Sequence, residues 1–268
     1  MLTRMPAMAS TPAHWDRASF AAVTPDGGRI PEIAQLGPSV PDPATLFAFA
    51  RDAELRFATL RLRLEERTWI AGGETLRVHE VLVRHPGSAR VTVVRPDLPT
   101  TTNYETWLSD GASVRVYRSW HRLATDRPVR QRPGGLSSED LPGTSRPYAP
   151  LSALPANSLA DSFVHPGGFC QNVLATGATD ITGTGIVAGR EAIFLTCDHP
   201  RTIEMDADRP DHRLQVAFDR ETGLIALLVE SFGGTVTRRV EATELSPDAS
   251  IPESAFTVAV PGDARSIY

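Results

Sequence analysis

Two histidines and two cysteines are the side chains whose types and spacing come closest to a metal site. His165 and Cys170 lie in the segment HPGGFC, and Cys197 and His199 lie in the segment CDHP. Zinc takes four nitrogen or sulfur ligands in tetrahedral geometry, usually from closely spaced pairs, and these spacings fit that pattern only loosely. We therefore predict no metal site, and we expect both histidines to occupy turns before the prolines that follow them.

The two cysteines leave two structural alternatives open. Two cysteines do not make a disulfide framework, but Cys170 and Cys197 are a possible disulfide if the compartment is oxidising. The other alternative is a pair of buried thiols that pack as small apolar side chains. The sequence favours neither alternative over the other.

Patterns for nucleophilic and phosphate chemistry are weak in this chain. It contains no Gly-x-Ser-x-Gly segment, which is the nucleophile motif of α/β-hydrolases. Gly183 and Gly185 precede a predicted strand rather than a helix, so they do not form a phosphate-binding loop. We predict a protein without catalytic residues, without cofactors and without enzymatic activity.

Composition narrows the possible partners and compartments. The chain has 268 residues, a net charge of −5 and a hydrophobic fraction of 41%, which is typical of a globular protein. No apolar run reaches the length of a transmembrane segment, and the acidic balance argues against nucleic acid. The first residues lack the apolar stretch of a signal peptide. We expect a cytoplasmic protein as the sequence stands, or a cell-envelope protein if an export segment was removed.

The chain is predicted to begin with an irregular arm and one helix. Residues 1–43 are rich in proline, alanine and glycine, which is typical of an extended segment. Asp42 and Pro43 match the N-cap and the first position of a helix. Apolar residues at helical spacing then predict a helix over residues 44–57.

Most of the remaining chain is predicted to form antiparallel strands. Leu60, Leu62 and Leu64 alternate with charged residues, which indicates a strand with one buried face. Hairpin turns then connect about eleven strands, the last of them over residues 257–260. A long loop rich in proline, glycine and serine interrupts them at about residues 126–158. Neither half would cover its own apolar face, so we predict one domain over residues 44–268.

Four ordered segments carry a resemblance to a known superfamily. They are VVRPD, YETWLSDGASVRVYRS, DHRLQVAFDRETGLIALLVES and VEATELSPDASIPESAFTVAVPGD. Their order resembles the LolA/LolB-like lipoprotein carriers, including the RseB/MucB-type regulators, over roughly residues 45–265. The resemblance implies a mainly β (α+β) fold, a strongly curved antiparallel half-barrel with helices that cover its concave face.

The resemblance also implies an apolar cavity between the sheet and the helices. Acyl chains occupy that cavity in members of the superfamily, and each buried methylene contributes about 0.8 kcal/mol. The alternative is an ordinary core packed against the helix. The candidate lining residues are Leu60, Leu62, Leu64, Val91, Val93, Trp107, Val116, Phe194, Val216, Phe218, Leu227 and Val229.

These observations predict a non-enzymatic binding protein for a lipid or another apolar small molecule. The alternative is an RseB-like regulatory domain that binds a protein partner and does not transport lipid. The composition, rich in alanine, arginine, glycine and proline, is typical of a bacterium with a GC-rich genome, such as an actinobacterium.

Overall fold

The computed structural model describes residues 33–99, 102–129, 151–201, 209–257 and 261–267. The first element of regular structure in these residues is a short helix. This helix, α1, spans Pro43–Arg51. The Asp42 carboxylate accepts a hydrogen bond from the backbone N–H of Thr45 at 2.8 Å, so the predicted N-cap is confirmed. A 3-10 turn over Ala53–Arg56 then leads into the sheet.

Within the described ranges, twelve strands and two further α-helices follow α1. Helix α2 spans Leu159–Val164 and α3 spans Pro166–Asn172. A 3-10 turn at Leu174–Thr176 follows α3. The strands are β1 Thr59–Ile70, β2 Gly73–Arg84, β3 Ser88–Val94, β4 Tyr104–Asp110, β5 Ser113–Arg118, β6 Leu123–Pro128, β7 Ala178–Val187, β8 Arg190–Asp198, β9 His212–Asp219, β10 Ile225–Phe232, β11 Thr235–Pro247 and β12 Arg265–Ile267.

All twelve strands belong to one open sheet. Their order is β12-β6-β5-β4-β3-β2-β1-β11-β10-β9-β8-β7, so both halves of the chain share a sheet, as predicted. The sheet is mixed, because β12 runs parallel to β6 while the other pairs are antiparallel. The prediction of purely antiparallel strands was therefore wrong at this edge.

Two segments differ from the predicted order of strands. Strand β6 occupies Leu123–Pro128, so the long loop begins after it rather than at residue 126. Of the predicted last strand over residues 257–260, residues 258–260 lie outside the described part of the chain, and the final described strand is β12. Residues 130–150 of the loop also lie outside the described part.

Strand alternation gives the sheet two distinct faces. In β1 the leucines at 60, 62 and 64 are buried, whereas Arg61 is exposed and Arg63 is half-buried. We call the face that carries the three leucines the helix-side face, and the face that carries the arginines the outer face. On the outer face Arg63 pairs with Glu80 at 3.0 Å. Such solvated pairs stabilise a fold only weakly.

The second half of the sheet is curled. Four strand spacings separate β7 from β11, which in a flat sheet corresponds to roughly 19 Å. Nevertheless, Cα atoms of β7 and β11 approach within 8 Å. Between these two strands the sheet therefore bends back on itself.

Both ends of the described chain are tied to the sheet. Near the N-terminus, Arg56 donates to the Ala34 carbonyl at 2.6 Å, and Arg220 donates to the Pro38 carbonyl at 2.7 Å. Near the C-terminus, Arg122 pairs with Asp263 at 2.7 Å beside β12. In the described part of the chain, no helix is both long and apolar enough to cross a membrane.

Candidate functional site

A row of apolar side chains crosses six adjacent strands of the helix-side face in direct register. The pairings join β11 to β1, β1 to β2, β2 to β3, β3 to β4 and β4 to β5. Five strand spacings make this row about 24 Å long. All six side chains are buried. We call them the central row, which consists of Leu245, Leu62, Val81, Val91, Trp107 and Val116.

The strand register separates the twelve predicted lining residues into two groups. Nine lie on the helix-side face, where they are paired with or alternate with the central row. Phe194, Leu227 and Val229 lie on the outer face, because they pair with Gly183, Glu241 and Arg239. The twelve side chains therefore do not share one lining. The nine are Leu60, Leu62, Leu64, Val91, Val93, Trp107, Val116, Val216 and Phe218.

Helices cover the half of the helix-side face formed by β8 to β11. The Cys197 thiol on β8 donates to the Leu174 carbonyl at 3.4 Å, which places the turn after α3 directly over this face. Helix α2 contacts β10, and α1 contacts α3. Beneath them Leu195 and Val216 are completely buried. This half is a packed core.

The end of the long loop is anchored beside the other half of the sheet. Among the described residues, Leu151 and Leu154 from this segment are buried. The backbone anchors this segment, since the Leu151 N–H donates to Glu54 at 3.0 Å and the Gly87 N–H donates to the Leu151 carbonyl at 2.8 Å. The loop segment is thus fixed at the turn between β2 and β3, whereas the helices lie over β8 to β11.

Charged side chains are buried where the 3-10 turn before β1 meets the end of α2. Nε2 of His165 lies 3.2 Å from the Glu54 carboxylate, and its Nδ1 lies 2.8 Å from the Asp161 carboxylate. Glu54 is fully buried. His165 lies in the bend between α2 and α3, directly before Pro166, as the sequence predicted, and it links the 3-10 turn before β1 to α2.

A second group of charged side chains lies near the central row, on strands β1, β2 and β11. Glu66 follows Leu64 on the helix-side face, and its carboxylate accepts from Arg238 at 2.7 Å and lies 3.1 Å from His79. Burial alone would raise the pKa of Glu66, but the hydrogen bonds and positive charges of His79 and Arg238 outweigh it and lower that pKa to about 2. Arg77 lies farther from Glu66, with 3.9 Å between its Nη1 and the Oε2 of the carboxylate.

Polarity consequently changes along the strands of the helix-side face. One row beyond the central row, Leu64 pairs with His79, which pairs with Val93. The same row continues to Glu105 and Arg118, which form an ion pair at 2.7 Å. The face is thus apolar at the central row and carries charges about 7 Å away along the strand direction.

The two cysteines are buried free thiols in this structure. Burial raises the pKa of Cys170 far above its usual value and raises the pKa of Cys197 to about 11. Over the described ranges, no group of three or more His, Cys, Asp or Glu side chains is arranged to hold a metal ion. Thiols this reluctant to ionise are poor nucleophiles and poor metal ligands.

Sequence reasoning missed two residues of the central row. Leu245 lies between Glu244 and Ser246, so the period of two was present there, whereas Val81 is followed by Leu82 and lies in a continuous apolar run. On β10 the signal was misleading, because a bulge between Ile225 and Leu227 shifts which residues face the helices.

Comparison with known proteins gives a limited result. No protein-family model and no curated protein sequence matches the chain. Among solved structures, it is similar to MucB from a Pseudomonas aeruginosa MucA/MucB complex, with 15% identity, 84% of this chain and 64% of that chain covered, and a TM-score of 0.46. The chain spans less than two thirds of the length of the MucB structures it matches.

Two further matches cover nearly the whole length of the solved protein. The Mycobacterium tuberculosis lipoprotein LppX has 13% identity, with 79% of this chain and 99% of that chain covered at a TM-score of 0.40. A LolA superfamily protein from Nitrosomonas europaea has 10% identity, with 81% and 98% covered at a TM-score of 0.33. The structural matches thus include the superfamily that the sequence motifs resemble. The TM-scores of all these matches are below 0.5. The fold and the site are therefore described from the contacts within this chain alone.

Proposed function

We propose that this chain is a non-enzymatic binding protein for an acyl lipid or a similar apolar ligand. The observation that carries the proposal is the central row, in which apolar side chains from six strands align without a polar interruption. An extended apolar ligand laid along the part of this row on β2 to β5 would contact four adjacent strands. At about 0.8 kcal/mol for each buried methylene, a short stretch of acyl chain would give substantial affinity.

The difference between the two halves of the helix-side face supports the same proposal. The half under the helices is filled by its own side chains, whereas the end of the long loop is anchored at the β2–β3 turn, beside the half that carries Val91, Trp107 and Val116. A ligand that displaces a loop breaks fewer packed contacts than one that displaces a helix. We therefore assign the ligand to the face of β2 to β5, and exclude Phe194, Leu227 and Val229 from its contacts.

Trp107 provides a direct test, because it lies within the central row. The chain has four tryptophans, and the variant Trp15→Phe/Trp69→Phe/Trp120→Phe keeps only Trp107. Titration of this variant with a brominated fatty acid is expected to quench its fluorescence saturably. A matched variant that keeps only Trp120, which is 45% exposed, is expected to show little quenching.

Mass spectrometry of the purified protein gives an independent result. Extraction with organic solvent is expected to release acyl lipid in an amount comparable with the protein. If no lipid is extracted and Trp107 is not quenched, the central row is ordinary core and the proposal is wrong.

A second candidate function is a regulatory domain that binds a protein partner at a sheet edge. The observation that favours it is β7, an edge strand of 10 residues in which Asp180 is the single ionisable side chain. Long edges without charges or prolines are templates for strand addition. Capture of a partner that is lost on Thr184→Lys, with lipid extraction unchanged, would favour this candidate.

A further inference from the structure

Two neighbouring hairpins expose large apolar side chains at one end of the sheet. Trp69 is 36% exposed, Ile70 is 63% exposed and Val236 is 41% exposed. The pairing of Thr68 with Arg238, continued by two residues, places Ile70 beside Val236 on the same face. We call Trp69, Ile70 and Val236 the projecting tip.

The projecting tip extends beyond its neighbour in the sheet. Strand β2 pairs with β3 only from Val78 onward, where Val78 pairs with Val94. The β1–β2 hairpin closes at the pair of Ile70 with Gly73. The five residue steps from Val78 to Gly73 carry the hairpin roughly 17 Å beyond the last pair with β3.

Below the apolar tip lies a belt of neutralised arginines. Arg67 pairs with Glu74 at 2.6 Å, and Arg238 pairs with Glu66 at 2.7 Å. These arginines are two or three residues from the apolar side chains, which corresponds to about 7–10 Å along a strand. Amphipathic elements bury their apolar side chains to about 5–10 Å at the boundary of headgroups and acyl chains, with cations at headgroup level.

We propose that the projecting tip docks the protein on the surface of a lipid bilayer. Tryptophan is suited to this interface because its ring is apolar while its N–H remains hydrated. A protein partner is disfavoured by size, since a stable protein interface buries about 800 Å² on each side and three side chains at a hairpin tip supply much less. Because the arginine belt is paired with carboxylates, the apolar side chains provide the attraction. Docking does not depend on the ligand proposed above.

Vesicle binding by the full chain tests this proposal. The variant Trp15→Phe/Trp107→Phe/Trp120→Phe keeps only Trp69, and brominated phosphatidylcholine vesicles are expected to quench its fluorescence. The variant that keeps only Trp107 serves to detect lipid taken up inside the protein. Quenching of Trp69 without Trp107 therefore reports docking, and quenching of Trp107 alone reports ligand uptake.

Substitutions at the tip give the size of the effect. Ile70→Ser together with Val236→Ser removes two exposed apolar side chains, which is expected to weaken partition into vesicles by about tenfold or more. The matched control is Ile186→Ser, because Ile186 is 69% exposed but lies at the other end of the sheet. Circular dichroism and thermal unfolding are expected to be unchanged in the double variant and in the control, since all three substituted residues are exposed.

Several results would overturn the proposal. These are no association of the unsubstituted chain with phosphatidylcholine vesicles, an equal loss of binding with Ile186→Ser, or binding only to vesicles with phosphatidylglycerol that disappears in salt. A protein partner that is lost with Ile70→Ser while vesicles do not bind would replace the bilayer by a protein surface.

Discussion

Replacement of Glu66 by glutamine is expected to destabilise the protein at neutral pH much more than at acid pH. Glu66 lies on β1 and contacts both neighbouring strands, through His79 on β2 and Arg238 on β11. The Glu66 side chain is buried, with an exposure of 7%. The charge on Glu66 thus connects three central strands beside the central row.

The magnitude follows from the pKa of Glu66, which the fold lowers from 4.5 to about 2. A group with a lowered pKa in the folded state stabilises the fold above its unfolded-state pKa, and that stabilisation disappears as the pH falls through its folded-state pKa. The shift corresponds to about 3 kcal/mol at pH 7, which falls to less than half of that near pH 3. The window therefore runs from about pH 5 down to about pH 2.

Urea unfolding at neutral pH and near pH 3 measures this difference. The free energy of unfolding is compared between the unsubstituted chain and Glu66→Gln at each pH, so that other titrating groups cancel. The matched control is Glu244→Gln, because Glu244 is 41% exposed and lies 3.9 Å from Arg61. A solvated pair of this kind contributes at most about 1 kcal/mol, so the control is expected to change little at either pH.

Two results would refute this reasoning. If Glu66→Gln costs the same free energy at both pH values, the loss comes from changed packing and not from the carboxylate charge. If Glu244→Gln shows the same pH dependence, the effect belongs to acid unfolding in general.

Three further predictions concern the core, the thiols and one turn. Leu62→Ala on the central row is expected to lower the free energy of unfolding by about 2–5 kcal/mol, whereas Arg63→Ala on the outer face is expected to cost about 1 kcal/mol or less; equal losses in urea unfolding would contradict the assignment of the faces. Because burial raises the pKa of Cys197 to about 11, Ellman's reagent at pH 8 is expected to react slowly with the native protein and rapidly with both thiols in urea, and a fast native phase would contradict this. Gly223→Ala is expected to lower the free energy of unfolding by about 1–3 kcal/mol, because φ is +79° there and the new Cβ would lie 3.1 Å from a phenylalanine ring of α1. The control is Gly72→Ala, where a Cβ meets nothing within 4 Å. This control is expected to unfold at nearly the same urea concentration as the unsubstituted chain.

Local signals in the sequence predicted local structure well. Asp42 and Pro43 specify the start of α1 because the cap bond to Thr45 spans only three residues. The alternation at Leu60, Leu62 and Leu64 specifies the buried face of β1 in the same way, since each residue's environment follows from its neighbours. Both features depend on interactions that a few adjacent residues complete.

Features that depend on distant residues were not predicted. Strand β12 pairs with β6 about 140 positions earlier, for example Arg265 with Leu123, and three residues of strand carry no periodic signal of their own. On β10 a bulge near Ile225 reverses the expected face of Leu227. The loop segment at Leu151 and the 3-10 turn at Leu174 both carry buried leucines, and their sequences do not reveal where on the sheet each one is anchored.

The change of polarity along the strands gives the proposed ligand a direction. Its apolar part fits the central row at Val91 and Trp107, whereas one row further along the strands it would meet Glu105 and Arg118. An apolar group placed there would leave charged side chains without hydrogen-bond partners. The polar atoms of a ligand could instead form hydrogen bonds with this ion pair. An amphiphile with its acyl chain on the central row and its polar group at this ion pair matches both rows. A wholly apolar ligand matches only one of them, so the geometry favours a lipid over a hydrocarbon.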